Sequence, residues 1–407
     1  MMTTGQFSLR AESELLIWCA RTVVTDELKE RIRQGAQGPL DWAVVLDLAW
    51  YHGVGPLLHR NLSACCSDLV PAESLTQLRQ RAQAGALLNR LLAQELVVLC
   101  EALEAHGVPV IPIKGATLAA SIYGDLTLRD FNDMDLVVPE RSVAEAQTVL
   151  LALDYERKDG SSAPGETDHK DGPYRVFIKR QMLFRVDLQW VMVQQHFTFQ
   201  LDRPEFWQRR MAVPLASKMV QGLTPEALLI VLCVHGTKHA WEALKWVCDV
   251  AELLRSHQHL NWDWIFSIAS AWRCRRLVYM GLSLAHRLLN APLPEAVLAR
   301  FSADLDVQIL SHRMPSTLLA DHHAGVNQAE AVAVYFSLKD SWWERWKFGL
   351  MLSRDQSPLV VTPPVWFRWR ISLPRLARVV CLFHRTMRTL LPPRIRGAIS
   401  RWVEHAD

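Results

Sequence analysis

Two aspartates one residue apart, Asp133 and Asp135, open an apolar run, Leu136-Val137-Val138. In a strand, side chains two apart project to one face, so these carboxylates point together. Carboxylates that close repel each other unless a cation sits between them. Mg²⁺ takes hard oxygen ligands, commonly one or two carboxylates together with substrate phosphates. A third acid, Asp187, lies in the alternating stretch FRVDLQW at 184–190, where Val186 and Leu188 read as core-facing and Asp187 as facing the other way. With that strand beside the first, three carboxylates around two metal ions suit an in-line displacement at phosphorus. One ion activates the attacking oxygen and the other stabilises the leaving phosphate, with Asp187 a metal ligand, a general base, or both. Taken alone, each acid also reads as a solvated aspartate on a strand.

The neighbouring residues add anion-binding chemistry. Lys114-Gly115 closes one apolar strand and opens a helix. A helix N-terminus offers free N–H groups and a positive dipole end to a phosphate; Gly115 lets the backbone approach and Lys114 adds charge. Arg129, four residues before Asp133, supplies a second cation for a phosphate. His235 and His239 are four apart and share a helix face, but Gly236 follows the first where a zinc protease helix has Glu. With Lys238, Trp241, Lys245 and Asp249 they could hold a substrate; core packing is the plainer alternative. His169 and Lys170 sit in a Gly/Ser-rich loop before Asp187, a place where substrate contacts occur. Asp321-His322-His323 has metal-ligand residue types but no third partner in sight.

These residues need elements to position them. Apolar residues recur at helical spacing over residues 9–104, with a long run at 74–106. Residues 108–114 (VPVIPIK) read as a strand, 116–122 as a short helix, 133–138 as a second strand and 142–153 as a helix. Residues 155–157 could add a strand, 159–173 form a loop, and 174–179 with 184–190 alternate as a strand pair. Thr224-Pro225 marks a helix start, and helical pattern continues to about residue 307 with a break at 290–294. From 365 to 401 there are nine Arg and no acid, interleaved with Trp366, Phe367 and Trp369. Such a segment could lie on a membrane surface, hold RNA, or pack its apolar side on the protein.

Composition sets the outer limits. A chain of 407 residues that is 50% hydrophobic and 21% charged can bury two or three cores and is not disordered throughout. Its 45 Lys and Arg against 42 Asp and Glu give a net charge of +3, which excludes a molecule built all over for nucleic acid. The eight cysteines form no C-x-x-C and read as buried reduced thiols. The N-terminus lacks a signal-peptide pattern, and the longest apolar run, 227–234, is far short of a membrane span. A cytoplasmic location is the expectation.

Lys114-Gly115, Arg129, Asp133-Met134-Asp135-Leu136-Val137-Val138 and Val186-Asp187-Leu188-Gln189-Trp190 together resemble the uncharacterised nucleotidyltransferase family of the DNA polymerase β-type superfamily. The likeness continues in His235-Gly236-x-Lys238-His239-x-Trp241-x-x-Leu244-Lys245-Trp246-x-x-Asp249 and covers about residues 10–310. It implies an α+β fold: a nucleotidyltransferase-type mixed sheet with helices, flanked by N-terminal and C-terminal helical domains. It also implies Mg²⁺-dependent (or Mn²⁺-dependent) nucleotidyl transfer from a nucleoside triphosphate such as ATP, with Asp133, Asp135 and Asp187 as the acidic triad. Where the superfamily has a glycine-serine pair this chain has Gly115-Ala116, leaving Thr117 as the nearest hydroxyl.

The regions expected are an N-terminal helical region at 1–107, the nucleotidyltransferase core at 108–215, a helical domain at 216–330 and a basic Trp/Arg-rich segment at 331–407. Residues expected to hold the nucleotide are Lys114, Gly115, Thr117, Arg129, His169, His235, Lys238 and His239. The acceptor is a hydroxyl on a small molecule, a protein or an RNA. Two other readings stand beside this one. One is a nucleotide-binding or adaptor module without catalysis. The other is a D-x-D glycosyltransferase gripping a nucleotide-sugar through Mn²⁺, which the long helical stretch before the motif disfavours.

Overall fold

Five helices precede the first strand: α1 (Ala11–Cys19), α2 (Asp26–Ala36), α3 (Trp42–Tyr51), α4 (Gly55–Cys65) and α5 (Ala72–Ala105). Thr25 caps α2 by accepting from the Leu28 N–H at 3.3 Å, and Asp41 caps α3 by accepting from the Ala43 N–H at 3.0 Å. The structure, a computed structural model, describes residues 9–158, 174–179, 182, 184–194, 197–319 and 328–354. Helix α5 has 34 residues and is about 50 Å long at 1.5 Å per residue. Its buried stripe, Leu92, Leu96, Leu99 and Leu103, forms one side of the sheet's core.

Five strands make that sheet: β1 (Ile111–Pro112), β2 (Asp133–Val137), β3 (Tyr155–Arg157), β4 (Tyr174–Lys179) and β5 (Phe184–Gln189), in the order β1-β2-β5-β4-β3. Strand β2 runs parallel to β5 and the other pairings are antiparallel. This is the α+β mixed sheet the sequence implied. Strand β1 is shorter than the 108–114 stretch expected. Pro109 and Pro112 have no N–H for a ladder, and Lys114 turns to φ 64°. Helix α6 (Gly115–Leu118) runs on into a wide turn at Ala119–Tyr123, and α7 (Val143–Ala152) crosses between β2 and β3. Met134, Leu136, Val186, Leu188 and Phe177 face α5 and α7 in one core. Val137 belongs to the core of the flanking helices, so the odd-numbered face of β2 looks toward them.

Two hairpins were not expected: β6 (Val191–Gln194) with β7 (Phe197–Gln200), and, after the short helix α8 (Pro204–Gln208), β8 (Arg210–Leu215) with β9 (Lys218–Leu223). The second straddles residue 215, where the sequence ended the sheet region. Its turn, Ala216-Ser217, has φ 46° and 67° without the Asn or Gly that normally marks such a turn.

The helices that follow are α9 (Pro225–Lys238), α10 (Leu244–Ser256), α11 (Trp262–Ala271), α12 (Arg275–Leu289), α13 (Glu295–Ser302), α14 (Leu305–Leu318), α15 (Gln328–Ser337) and α16 (Trp342–Arg354). The expected break after α12 is a left-handed Asn290 at φ 52°. Residues 1–327 and 331–355 form one compact unit; a second, 328–330 with 356–407, is mostly outside the described residues. The basic segment at 365–401 and Asp321-His322-His323 are likewise outside them. No helix among the described residues is long and apolar enough to cross a membrane. Among the described residues seven cysteines are free thiols, six of them buried.

Trp241 anchors the α9–α10 corner. Its ring is fully buried, and its indole N–H donates to the Thr237 hydroxyl at 3.2 Å. A Cβ on Gly236 would lie 2.5 Å from that ring. Gly236→Ala is therefore expected to cost about 1–3 kcal/mol through overpacking, read as a lower urea midpoint with an unchanged m value.

Candidate active site

The parallel pairing of β2 and β5 sets Asp135 directly opposite Asp187 and Asp133 opposite Arg185. Neighbouring strands lie about 4.8 Å apart, so the three acids converge on one face, as the alternation in both strands required. Met134, Val186 and Leu188 take the buried alternate positions. Burial first, and then the Asp135 carboxylate, hold the pKa of Asp133 above the usual carboxylate range. Asp133 has no hydrogen bond or ion pair among the described residues.

The other two carboxylates are engaged. The Lys114 ammonium lies 2.9 Å from Asp135 Oδ2, and the Gln189 amide donates to Asp135 Oδ1 at 2.8 Å. Arg185 grips Asp187 with both arms of its fork, Nε to Oδ1 at 2.6 Å and Nη2 to Oδ2 at 2.8 Å. As the side chains stand, no group of three His, Cys, Asp or Glu residues among those described is set to hold a metal ion. The donor chemistry still fits a hard divalent cation: three carboxylates on one face, one of them without an ion-pair contact. Asp133, Asp135 and Asp187 are the residues that would hold it.

Lys114 reaches Asp135 through an unusual backbone. Its φ of 64° and ψ of −149° lie in a region that is nearly glycine's alone, and Gly115 follows at φ 49°. A non-glycine residue there costs about 1–3 kcal/mol and points to a functional constraint. The turn is held by the Ile113 N–H donating to the Asp135 carbonyl at 3.0 Å. The Thr117 hydroxyl has the Lys114 carbonyl at 2.8 Å. Thr117 therefore serves the turn, and its hydroxyl is not offered to a phosphate as the sequence suggested.

Helices α9 and α10 close over this face. His235 Nδ1 lies 3.2 Å from the Lys114 ammonium. Lysine can only donate, so this nitrogen accepts and Nε2 carries the ring proton. Burial, followed by the Lys114 charge, pushes the His235 pKa well down. His239 stacks on Trp246 with ring centroids 4.7 Å apart, and burial followed by the Lys238 charge pushes its pKa down to about 3. Both histidines are thus neutral at pH 7 and bring no positive charge to a phosphate. The cations these helices bring near the acids are Lys238 and Lys245. Neither has an ion-pair partner among the described residues, and burial lowers the pKa of each, with Lys114 the next cause for Lys238 and Arg129 for Lys245.

Arg129 is used differently from the phosphate contact expected. Its Nε and Nη2 bind Asp249 at 2.7 and 2.8 Å, both side chains are buried, and the Tyr123 hydroxyl donates to the same carboxylate at 2.7 Å. The family-like Asp249 therefore fastens α10 to the segment leading into β2. Trp241, once a candidate for the cleft, is core. His169 and Lys170 lie outside the described residues. Sequence reading undervalued Arg185 and Gln189. Their only signal was that they lie two residues either side of Asp187 and so share its face.

A mixed sheet that gathers a D-x-D strand, a parallel acidic neighbour and a lysine turn on one face, with helices above, defines a nucleotidyltransferase type of protein. The chain matches the model of an uncharacterised nucleotidyltransferase family over residues 38–290, more than half its length, and it belongs to that family. Among solved structures it is similar to the antibiotic-resistance factor ANT(2'')-Ia, with 14% identity over 47% of this chain and 95% of that one and a TM-score of 0.31. It is also similar to an antigenic nucleotidyltransferase-like protein from Paracoccidioides brasiliensis, with 20% identity over 51% of this chain and 96% of that one and a TM-score of 0.32. No curated protein matches the chain.

Two measurements probe this arrangement. Asp249→Ala leaves Arg129 buried without its counter-charge and is expected to destabilise the protein by about 3–5 kcal/mol in chemical denaturation. Asp133 behaves oppositely. Its raised pKa means that, from the unfolded carboxylate value up to its own, the folded state binds more protons and loses stability as pH rises. Asp133→Asn is therefore expected to raise the Tm of the metal-free protein at pH 7. Calorimetry should show that gap closing as pH falls from the raised value of Asp133 to the ordinary carboxylate value.

Proposed function

We propose that this protein transfers a nucleoside monophosphate from a nucleoside triphosphate to a hydroxyl of an acceptor, with Mg²⁺ held by Asp133, Asp135 and Asp187. The observation that supports this most is the convergence of the three acids, one without an ion-pair contact, near Lys238 and Lys245. The bound ion would polarise the reacting phosphate and acidify the attacking hydroxyl. The chain's own groups do the rest. Lys238 and Lys245, short of anionic partners, take the phosphates of the triphosphate and neutralise the pyrophosphate as it leaves. The acceptor oxygen forms its bond to the α-phosphorus as the bond to pyrophosphate breaks. The hydroxyl proton passes to a carboxylate of the triad. Lys114, fixed by His235, keeps Asp135 in place.

A second reading, a module that holds nucleotide without transferring it, draws on the occupied oxygens of Asp135 and Asp187. Incubation with Mg²⁺ and each α-labelled triphosphate, with and without cell extract, separates the two. Transfer predicts label on a macromolecule or metabolite, reduced by more than about 100-fold in Asp133→Ala and Asp135→Ala, beyond the 10–100-fold usual for residues supporting a metal ligand. Triphosphate binding with no label moved, and no difference between wild type and these variants, overturns it in favour of the binding module.

A further inference from the structure

The two cations that neutralise the acidic face differ in their freedom. The Lys114 side chain is 8% exposed and its ammonium is pinned between Asp135 and His235. The Arg185 side chain is 44% exposed, while the Asp187 it grips is only 17% exposed. The arginine is the outer, more exposed partner and the aspartate the inner one. Arg185 also faces Asp133 across the strand pair, and the Asp133 and Asp135 charges both favour its charged form. Its guanidinium, fastened to Asp187 on the face the three acids share, would repel an incoming cation, which would find Asp187 already held by a two-pronged bond.

Resting on the transferase reading, we propose that Arg185 is an internal counter-cation that keeps Asp187 out of metal binding until a nucleoside triphosphate takes the arginine over. A guanidinium fork fits a phosphate as well as it fits a carboxylate. When the triphosphate enters, Arg185 exchanges Asp187 for phosphate oxygens, and Asp187 is freed for the ion at that moment. No bond is made or broken in the exchange; one ion pair replaces another. Metal and nucleotide then bind with positive coupling, which is reciprocal because it is a single free energy shared by two sites. Without nucleotide, the site keeps its carboxylates neutralised and takes up metal poorly.

The test is Mn²⁺ binding to the full chain, followed by the loss of the free-ion paramagnetic resonance signal, with and without a non-hydrolysable triphosphate analogue. Wild type is expected to bind Mn²⁺ weakly alone and at least about 10-fold more tightly with the analogue, beyond the analogue's own affinity for the ion. Arg185→Gln is expected to bind Mn²⁺ alone about 10-fold more tightly than wild type and to lose most of the coupling; Arg185→Lys, a cation without the fork, falls between them. Equal Mn²⁺ affinity in wild type, Arg185→Gln and Arg185→Lys overturns the proposal while leaving the transferase reading intact, provided Asp133→Asn abolishes that binding. Absence of Mn²⁺ binding in every variant, with or without the analogue, overturns the metal-dependent reading and this proposal together.

Discussion

Three carboxylates on one sheet face, closed over by helices, cannot all stay ionised without cations nearby, and much of the architecture answers that constraint. Lys114 accepts a backbone conformation nearly reserved for glycine and places its ammonium on Asp135. His235 accepts from that ammonium, a contact possible only because burial keeps the imidazole neutral; a protonated ring would repel the lysine. Arg185 covers Asp187 from its own strand. Asp133 is left without an ion-pair contact among the described residues, and burial followed by the Asp135 charge raises its pKa. Lys238 and Lys245 approach without pairing, so the site has both an acid and two cations that lack partners. That imbalance is what an ion bound to a polyphosphate would satisfy.

The acidic face was legible because strand periodicity is rigid. Asp133 and Asp135 must share a face, and Val186 and Leu188 could be buried only by turning Asp187 the other way. That β2 and β5 are neighbours came from the family resemblance, since nothing local in either strand names its partner. Lys114-Gly115 was visible as a turn. That Lys114, rather than Gly115 alone, takes the strained conformation was not, because no local pattern marks a lysine for it. Arg129 shows the opposite failure. A cation four residues from an acid suggests a phosphate ligand, but its partner Asp249 is 120 residues away, and only tertiary packing brings them together. The β8–β9 turn was missed because Ala216-Ser217 carries none of the usual turn chemistry.

The Arg129–Asp249–Tyr123 cluster shows how two cores cooperate in one site. The sheet packs its even-numbered β2 residues on α5 and α7, while Val137 on the odd-numbered side joins the core of the flanking helices. Sheet and helices therefore need a fixed register if lysines on α9 and at the start of α10 are to meet acids on β2 and β5. A buried bidentate ion pair is well suited to that. It adds little net stability, because desolvation offsets the attraction, yet any displacement that breaks it is strongly opposed. Asn89 on α5 adds to the restraint by donating to the Leu126 and Arg129 carbonyls at 2.6 and 2.9 Å, so the segment carrying Arg129 is fixed to both sides at once. Asp249, an acid read from the sequence as one of the residues that could hold a substrate, contributes by position. It sets where the helices lie over the carboxylates, and it leaves Asp133, Lys238 and Lys245 as the charged groups of that region without an ion pair among the described residues.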